Sequence, residues 1–225
     1  ALERGLGLRW LAVLFAALLW VLARDALPSA AASVPHTAMV SLRGEIADKG
    51  EVSAEFVLPA LRSALEDKGS QALVLLIDSP GGSPVQAGLI HDEILRLRAL
   101  HGKPIYVVVE ETCASAAYYI AAAADRIYVD KASLVGSIGV LMDGFGFVGT
   151  LNKLGVERRL LTAGANKGFL DPFSPQSDEQ RRYAQTMLDQ IHKQFIAVVK
   201  QGRGDRLKET PETFSGLFWT GEQAI

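Results

Sequence analysis

The sequence predicts a single α/β domain built on a largely parallel sheet, and three observations lead there. Apolar runs of strand length alternate with helical patterns from Thr37 to Val129, the order that parallel strands joined by crossover helices require. Two of those runs, Ala72 to Ile77 and Ile105 to Val109, are continuously apolar, as in strands covered on both faces. With 225 residues and 49% hydrophobic content, the chain can also fill a core of that size.

Taken in order, Thr37 to Leu42 reads as a first strand and Ala54 to Asp67 as a helix. The strand Ala72 to Ile77 is followed by a helix from Pro84 to Leu100, whose Val85, Leu89, Ile90, Ile94, Leu97 and Leu100 are expected on one face with Arg and Glu opposite. Ile105 to Val109 is the next strand, Ala114 to Ala124 a short helix of small and aromatic residues, and Arg126 to Val129 a further strand. Beyond Ser177 a long amphipathic helix is expected over Asp178 to Gln201, with Met187, Leu188, Ile191, Phe195 and Val198 on its apolar side.

Before these elements, Trp10 to Ala23 is an uncharged apolar run flanked by Arg4 and Arg9 on one side and Arg24 and Asp25 on the other. It reads as a signal anchor over 1–25, with an interfacial Trp at each end, followed by a linker over 26–36 and a catalytic domain over 37–225. A cleaved signal peptide, with small residues at Ser29 to Ser33, and a buried core helix are the competing readings. Arginines ahead of the run favour an orientation that puts the domain outside the cytoplasm. The chain opens on Ala1 and its last residues, Trp219 to Ile225, read as an unfinished element, so a fragment with a truncated C-terminal end is expected.

A formal net charge of −2 argues against a nucleic-acid-binding surface. Cys113 is the single cysteine, which excludes an intrachain disulfide and finger-type metal sites, and no cofactor or metal is expected.

Four segments can carry chemistry. Asp78-Ser-Pro-Gly-Gly-Ser83 joins a buried strand to a helix beginning near Ser83 or Pro84; its glycines allow close backbone approach, and the helix start leaves amides free to hold an oxyanion. By itself it equally describes a turn with an Asp or Ser cap, and without a following Gly-Lys-Ser/Thr it is not a phosphate loop. Glu110 to Tyr119 puts Ser115 where a strand gives way to a helix, the placement that exposes a nucleophile and aims the next amide alongside it. A serine among alanines also serves as a helix cap or packing residue, and Cys113 beside it reads as a small core residue. Val135-Gly-Ser-Ile-Gly-Val140 carries one hydroxyl, Ser137, in a segment that otherwise says tight turn or close contact. Leu161 to Phe173 places Lys167 among glycine, aromatic and apolar residues; a lysine base has to be neutral, which needs a packed apolar wall, whereas most loop lysines are solvated.

In this order, the DSPGGS turn, the Ala-Ser-Ala-Ala-Tyr-Tyr segment, VGSIGV and the Gly-x-x-Lys segment resemble the bacterial signal peptide peptidase A family of Ser/Lys proteases, from about Thr37 to Ile225. The resemblance implies the Clp protease/crotonase-like fold, a spiral of ββα units with a mainly parallel sheet, here preceded by the hydrophobic anchor. It implies Ser115 as nucleophile, Lys167 as general base and Ser137 as the hydroxyl that orients the lysine, with the amides of Gly82 and Ala116 as oxyanion donors. It also implies a homo-oligomer with possibly shared active sites, in which Ser115 of one subunit faces Lys167 of a neighbour. Signal peptides and other apolar peptides are the implied substrates, and the bacterial inner membrane is the implied location, with a single pass and the domain on the extracytoplasmic side. Ala116 and Ala117 stand where two glycines are frequent, and the segment around Lys167 lacks the frequent Tyr before and acidic residue after the lysine.

Competing readings are a Clp-type Ser/His/Asp protease, a crotonase-like acyl-transfer enzyme and a catalytically inactive membrane scaffold of the same fold. The first is disfavoured because no histidine lies between His101 and His192, and His91 and His192 read as ordinary helix-face residues.

Overall fold

Two continuously apolar runs form the centre of the sheet in the computed structural model, which describes residues 34–224. They are β2 (Ser70–Ser79) and β3 (Ile105–Ala114), preceded by β1 (His36–Arg43) and followed by three short strands, β4 (Arg126–Tyr128), β5 (Leu134–Gly136) and β6 (Phe218–Thr220). The helices are α1 (Ala54–Glu66), α2 (Pro84–His101), α3 (Ala116–Ala121), α4 (Val148–Leu154) and α5 (Asp178–Arg203). Strand order is β1-β2-β3-β5-β6, with β4 also paired to β3. The β2/β3, β3/β4 and β3/β5 pairs are parallel and β5/β6 is antiparallel, so the molecule is mixed α/β with a mainly parallel sheet, as the sequence predicts. The expected anchor over 1–25 and most of the linker lie outside the described residues. No helix among the described residues is long and apolar enough to cross a membrane.

Leu73, Leu75 and Ile77 of β2 and Ile105 and Val107 of β3 are buried in the core. Each such side chain contributes roughly 1.5–3 kcal/mol relative to an exposed one. Crossing between these strands, α2 has its start and stop written locally. The Ser83 hydroxyl accepts from the Gln86 N–H at 3.3 Å, Pro84 occupies the first turn, and Gly102 ends the helix in the left-handed region at φ 63°. Asp78 does not cap this helix; its carboxylate accepts from the Thr112 N–H at 3.1 Å.

The buried face of α2 differs from the expected one. Ala87, Ile90, His91, Glu93, Ile94 and Leu97 point inward, while Val85, Leu89 and Leu100 are exposed. Two polar residues share the core side because each has partners. Glu93 accepts from Arg62 of α1 at 2.6 Å and from Arg96 at 2.7 Å, which hold its carboxyl down at about 2, Arg96 contributing most. His91, 4% exposed, bonds to Asp92 at 3.0 Å and meets the edge of Tyr119 at 5.2 Å between ring centroids.

Downstream, α5 begins with a capping box between Ser177 and Gln180. Only Phe195 and Val199 of this helix are buried, against Ala122 and Ile138, because the core is reached only by its C-terminal part; Met187, Leu188 and Ile191 stay half-buried.

Candidate active site

β3 runs on past the apolar stretch that marks it in the sequence. Its pairing with β2 shifts register between Ile77↔Val109 and Ser79↔Cys113, so the polar residues Glu110 to Thr112 pass through an irregularity, and the strand ends at Ala114. α3 begins at Ala116, which leaves Ser115 alone on the turn between strand and helix. Its backbone sits at φ 53°, ψ −123°, in the left-handed half of conformational space. A non-glycine residue there costs on the order of 1–3 kcal/mol and persists only where its surroundings impose it.

The surroundings are backbone on both sides. Ser115 N–H donates to the Gly136 carbonyl at 2.9 Å, and Ala114 pairs with Gly136, so Ser115 and Ser137 come next in line at neighbouring strand ends. From the other side comes Gly81, where a Cβ would lie 2.7 Å from the Ala114 carbonyl oxygen, 2.8 Å from the Ser115 Cβ and 2.9 Å from the Ala116 nitrogen. The DSPGGS turn therefore presses main chain against the serine turn, at a φ of 103° that suits glycine.

This packing leaves two amide donors uncommitted. A short bridge joins Ile46 to the turn: Ile46 N–H donates to the Gly81 carbonyl at 2.9 Å and Ser83 N–H donates to the Ile46 carbonyl at 2.7 Å, which passes over the Gly82 N–H. In α3 the Ser115 carbonyl receives the Tyr119 N–H at 3.0 Å, so the Ala116 N–H is one of the orphan donors of the first turn. Ser137 has a positive φ of 49°, and its N–H donates to the Leu217 carbonyl at 2.8 Å.

Lys167 stands apart from this group. Its loop follows α4 and is tied to itself: Arg158 pairs with Asp171, Phe147 N–H donates to the Pro172 carbonyl at 2.7 Å, and Phe147 stacks on Phe173 at 5.3 Å. The lysine is exposed, and among the described residues its side chain makes no hydrogen bond or ion pair. α4 contributes no buried residue, and Leu161, 96% exposed, and Phe145, 78% exposed, extend an uncovered apolar surface around the loop. One chain thus gathers Ser115, Ser137, Gly82 and Ala116, and leaves Lys167 outside the cluster.

Cys113, two residues before Ser115, is wholly buried, and burial alone pushes its thiol far above the ordinary range, so the thiolate needed for attack does not form. No histidine hydrogen-bonds to Ser115 among the described residues; His192 bonds to the Ile138 carbonyl at 3.0 Å. Sequence reading missed Gly81 and Gly136 as the residues that shape the serine turn. The Gly-Gly pair and the glycine before Ser137 were the available signals, but a glycine in a sequence does not say which backbone it meets.

Residues 98–225 match the model of peptidase family S49. The chain belongs to that family. This S49 chain is 31% identical over 194 residues to a putative signal peptide peptidase SppA of Enterococcus faecium, a match covering 83% of the chain and 56% of that protein. It is 32% identical over 171 residues to a putative protease of Methanocaldococcus jannaschii, covering 76% of the chain and 54% of that protein. A Brucella melitensis protein named Na(+)/H(+) antiporter NhaA is 48% identical over 164 residues, which are 73% of the S49 chain but 22% of the Brucella protein. The chain therefore spans about half of the two peptidase-named relatives and about a fifth of the antiporter-named one.

Proposed function

We propose that this chain is a serine endopeptidase in which Ser115 is the nucleophile and Lys167 the general base. The observation that carries the reading is the posture of Ser115, held at φ 53° between a strand end and a helix start by the backbones of Gly81 and Gly136. In the proposed reaction a neutral Lys167 takes the Ser115 hydroxyl proton as Oγ attacks the scissile carbonyl carbon. The tetrahedral oxyanion is held by the Gly82 and Ala116 amides, each such donor being worth about 2.7–4 kcal/mol to the transition state. Lysine then returns the proton to the leaving amine, and water cleaves the Ser115 ester with the same lysine as base. Ser137, at the neighbouring strand end, orients the lysine.

Lys167 is exposed on a loop that lacks a core of its own, and a lysine base needs an apolar wall. In this reading a second copy supplies that wall: the protein is a homo-oligomer, and Lys167 of one subunit serves Ser115 of its neighbour. Substrates are extended apolar peptides, chiefly remnant signal peptides, met at the bacterial inner membrane by an anchored domain on the extracytoplasmic side. Family membership and the apolar run Trp10 to Ala23 support this part of the reading.

A serine-directed fluorophosphonate tests it. Labelling of the wild-type protein that disappears in Ser115→Ala and falls at least about 100-fold in rate in Lys167→Ala is the expected result. Equal labelling of all three proteins would refute the assignment, and no labelling of any would favour an inactive scaffold.

A further inference from the structure

We infer that a cavity behind the serine turn is a binding site for an extended peptide segment that carries a carboxylate beside aliphatic side chains. The cavity measures about 390 Å³ and lies where β4, β5, β6 and the polypeptide after α5 meet. Its polar wall is one-signed: Arg203, Arg206 and Lys208 line it, and among the described residues no Asp or Glu does. In a chain of net charge −2 this is a local concentration of positive charge.

Arg203 is the telling residue. Its Nη1 is buried and has no hydrogen-bond partner, whereas Arg206 donates to the Asp125 and Gly202 carbonyls. A buried guanidinium nitrogen without an acceptor carries a large desolvation cost that a carboxylate removes, and the flat fork of arginine matches a carboxylate in two-pronged fashion. Burial holds the Arg203 pKa below its ordinary value, Arg206 adding to the effect against the opposing influence of Tyr118.

The other wall is aliphatic and aromatic, with Ile127, Val129 and Trp219. Ile127 belongs to β4, which pairs with β3 on one edge and has no strand assigned to its other edge among the described residues. An open strand edge beside an apolar wall and an unpaired guanidinium is what an extended, aliphatic, acidic segment complements. A simple inorganic anion would leave most of the cavity's apolar wall unused. The site does not depend on Ser115 being a nucleophile, although Gly136, whose carbonyl holds the Ser115 N–H, forms part of its wall.

The test is titration calorimetry on the full chain carrying Ser115→Ala, which removes any turnover, with acetyl-Val-Val-Glu-amide and acetyl-Val-Val-Gln-amide. The Trp219 indole resonance, identified with Trp219→Phe, is followed in parallel. The Glu peptide is expected to bind at least about tenfold more tightly than the Gln peptide and to move the Trp219 resonance. Arg203→Met should abolish that difference without lowering the melting temperature of the ligand-free protein. If Arg203→Met does not fold, the exposed Lys208→Met should weaken only the Glu peptide, by about two- to fivefold. Equal affinity for the two peptides, absence of binding, or a shift that bypasses Trp219 would overturn the site. So would an Arg203→Met protein that melts several degrees lower, since that would make Arg203 part of the scaffold.

Discussion

Ser115 stands on a turn fixed by backbone from two neighbouring segments, whereas Lys167 stands on a loop that is tied to itself and exposed to solvent. The serine turn is framed by Ala114, Ala116 and Ala117, all buried, and rests on the β2/β3 core. Helix α4, just before the lysine loop, buries nothing, and Leu141, Phe145, Leu154 and Leu161 around it face outward. The first region is complete within one chain. The second has the composition of a contact surface and the burial of a free one, which makes it the part that association would finish.

Mixing chains gives the largest test of this contrast. Ser115→Ala and Lys167→Ala proteins, each inactive alone, should regain about a quarter of wild-type peptidase activity when randomly co-assembled, because about one neighbouring pair in four then joins an intact serine to an intact lysine. No regain would place both groups of a site in one chain. Next in size is Gly81→Ala. A methyl group there meets the Ala114 carbonyl oxygen at 2.7 Å at a backbone φ of 103°, so kcat should fall by about 100-fold or more, and thermal unfolding should come several degrees earlier. A normal kcat would mean that the turn does not set the serine.

Acid stability separates the two regions in a smaller way. Glu93, which ties α1 to α2 beneath the serine turn, has its carboxyl held at about 2, below its unfolded value of 4.5. Its contribution is therefore full above about pH 4.5 and is lost as the pH falls towards 2. Wild-type stability should drop through that window, and Glu93→Gln should flatten the drop in melts taken between those pH values. Smallest of all is the effect of Leu154→Glu on single-chain stability, expected within about 0.5 kcal/mol because Leu154 is exposed. The same substitution should weaken self-association in sedimentation, and an unchanged oligomer would remove α4 from the contact surface.

The same contrast governs what could be read from the residues alone. β2, β3 and the extent of α2 were legible because long apolar runs, Ser83, Pro84 and Gly102 act locally. β5 and β6 have three residues each and exist through pairing with distant segments, so no periodicity announces them. The face of α2 was misjudged because hydropathy put Val85, Leu89 and Leu100 inside, while Glu93 was drawn in by Arg62 and Arg96. Placing Ser115 at a strand-to-helix turn was legible, since the shift from branched residues to alanines marks it. The exposure of Lys167 was not, because its glycine and aromatic neighbours describe equally a packed wall and a loop awaiting one.

The positive φ of Ser115 also sets what evolution can do at this position. Glycine would relax the turn, so a descendant that lost its chemistry would gain stability by that single change, and selection for activity alone opposes it. Threonine, the other hydroxyl-bearing nucleophile, is branched at Cβ and is excluded by the same backbone. The turn is thus a gate on substitution: it admits serine as an alcohol nucleophile, and it leaves an easy way out of catalysis.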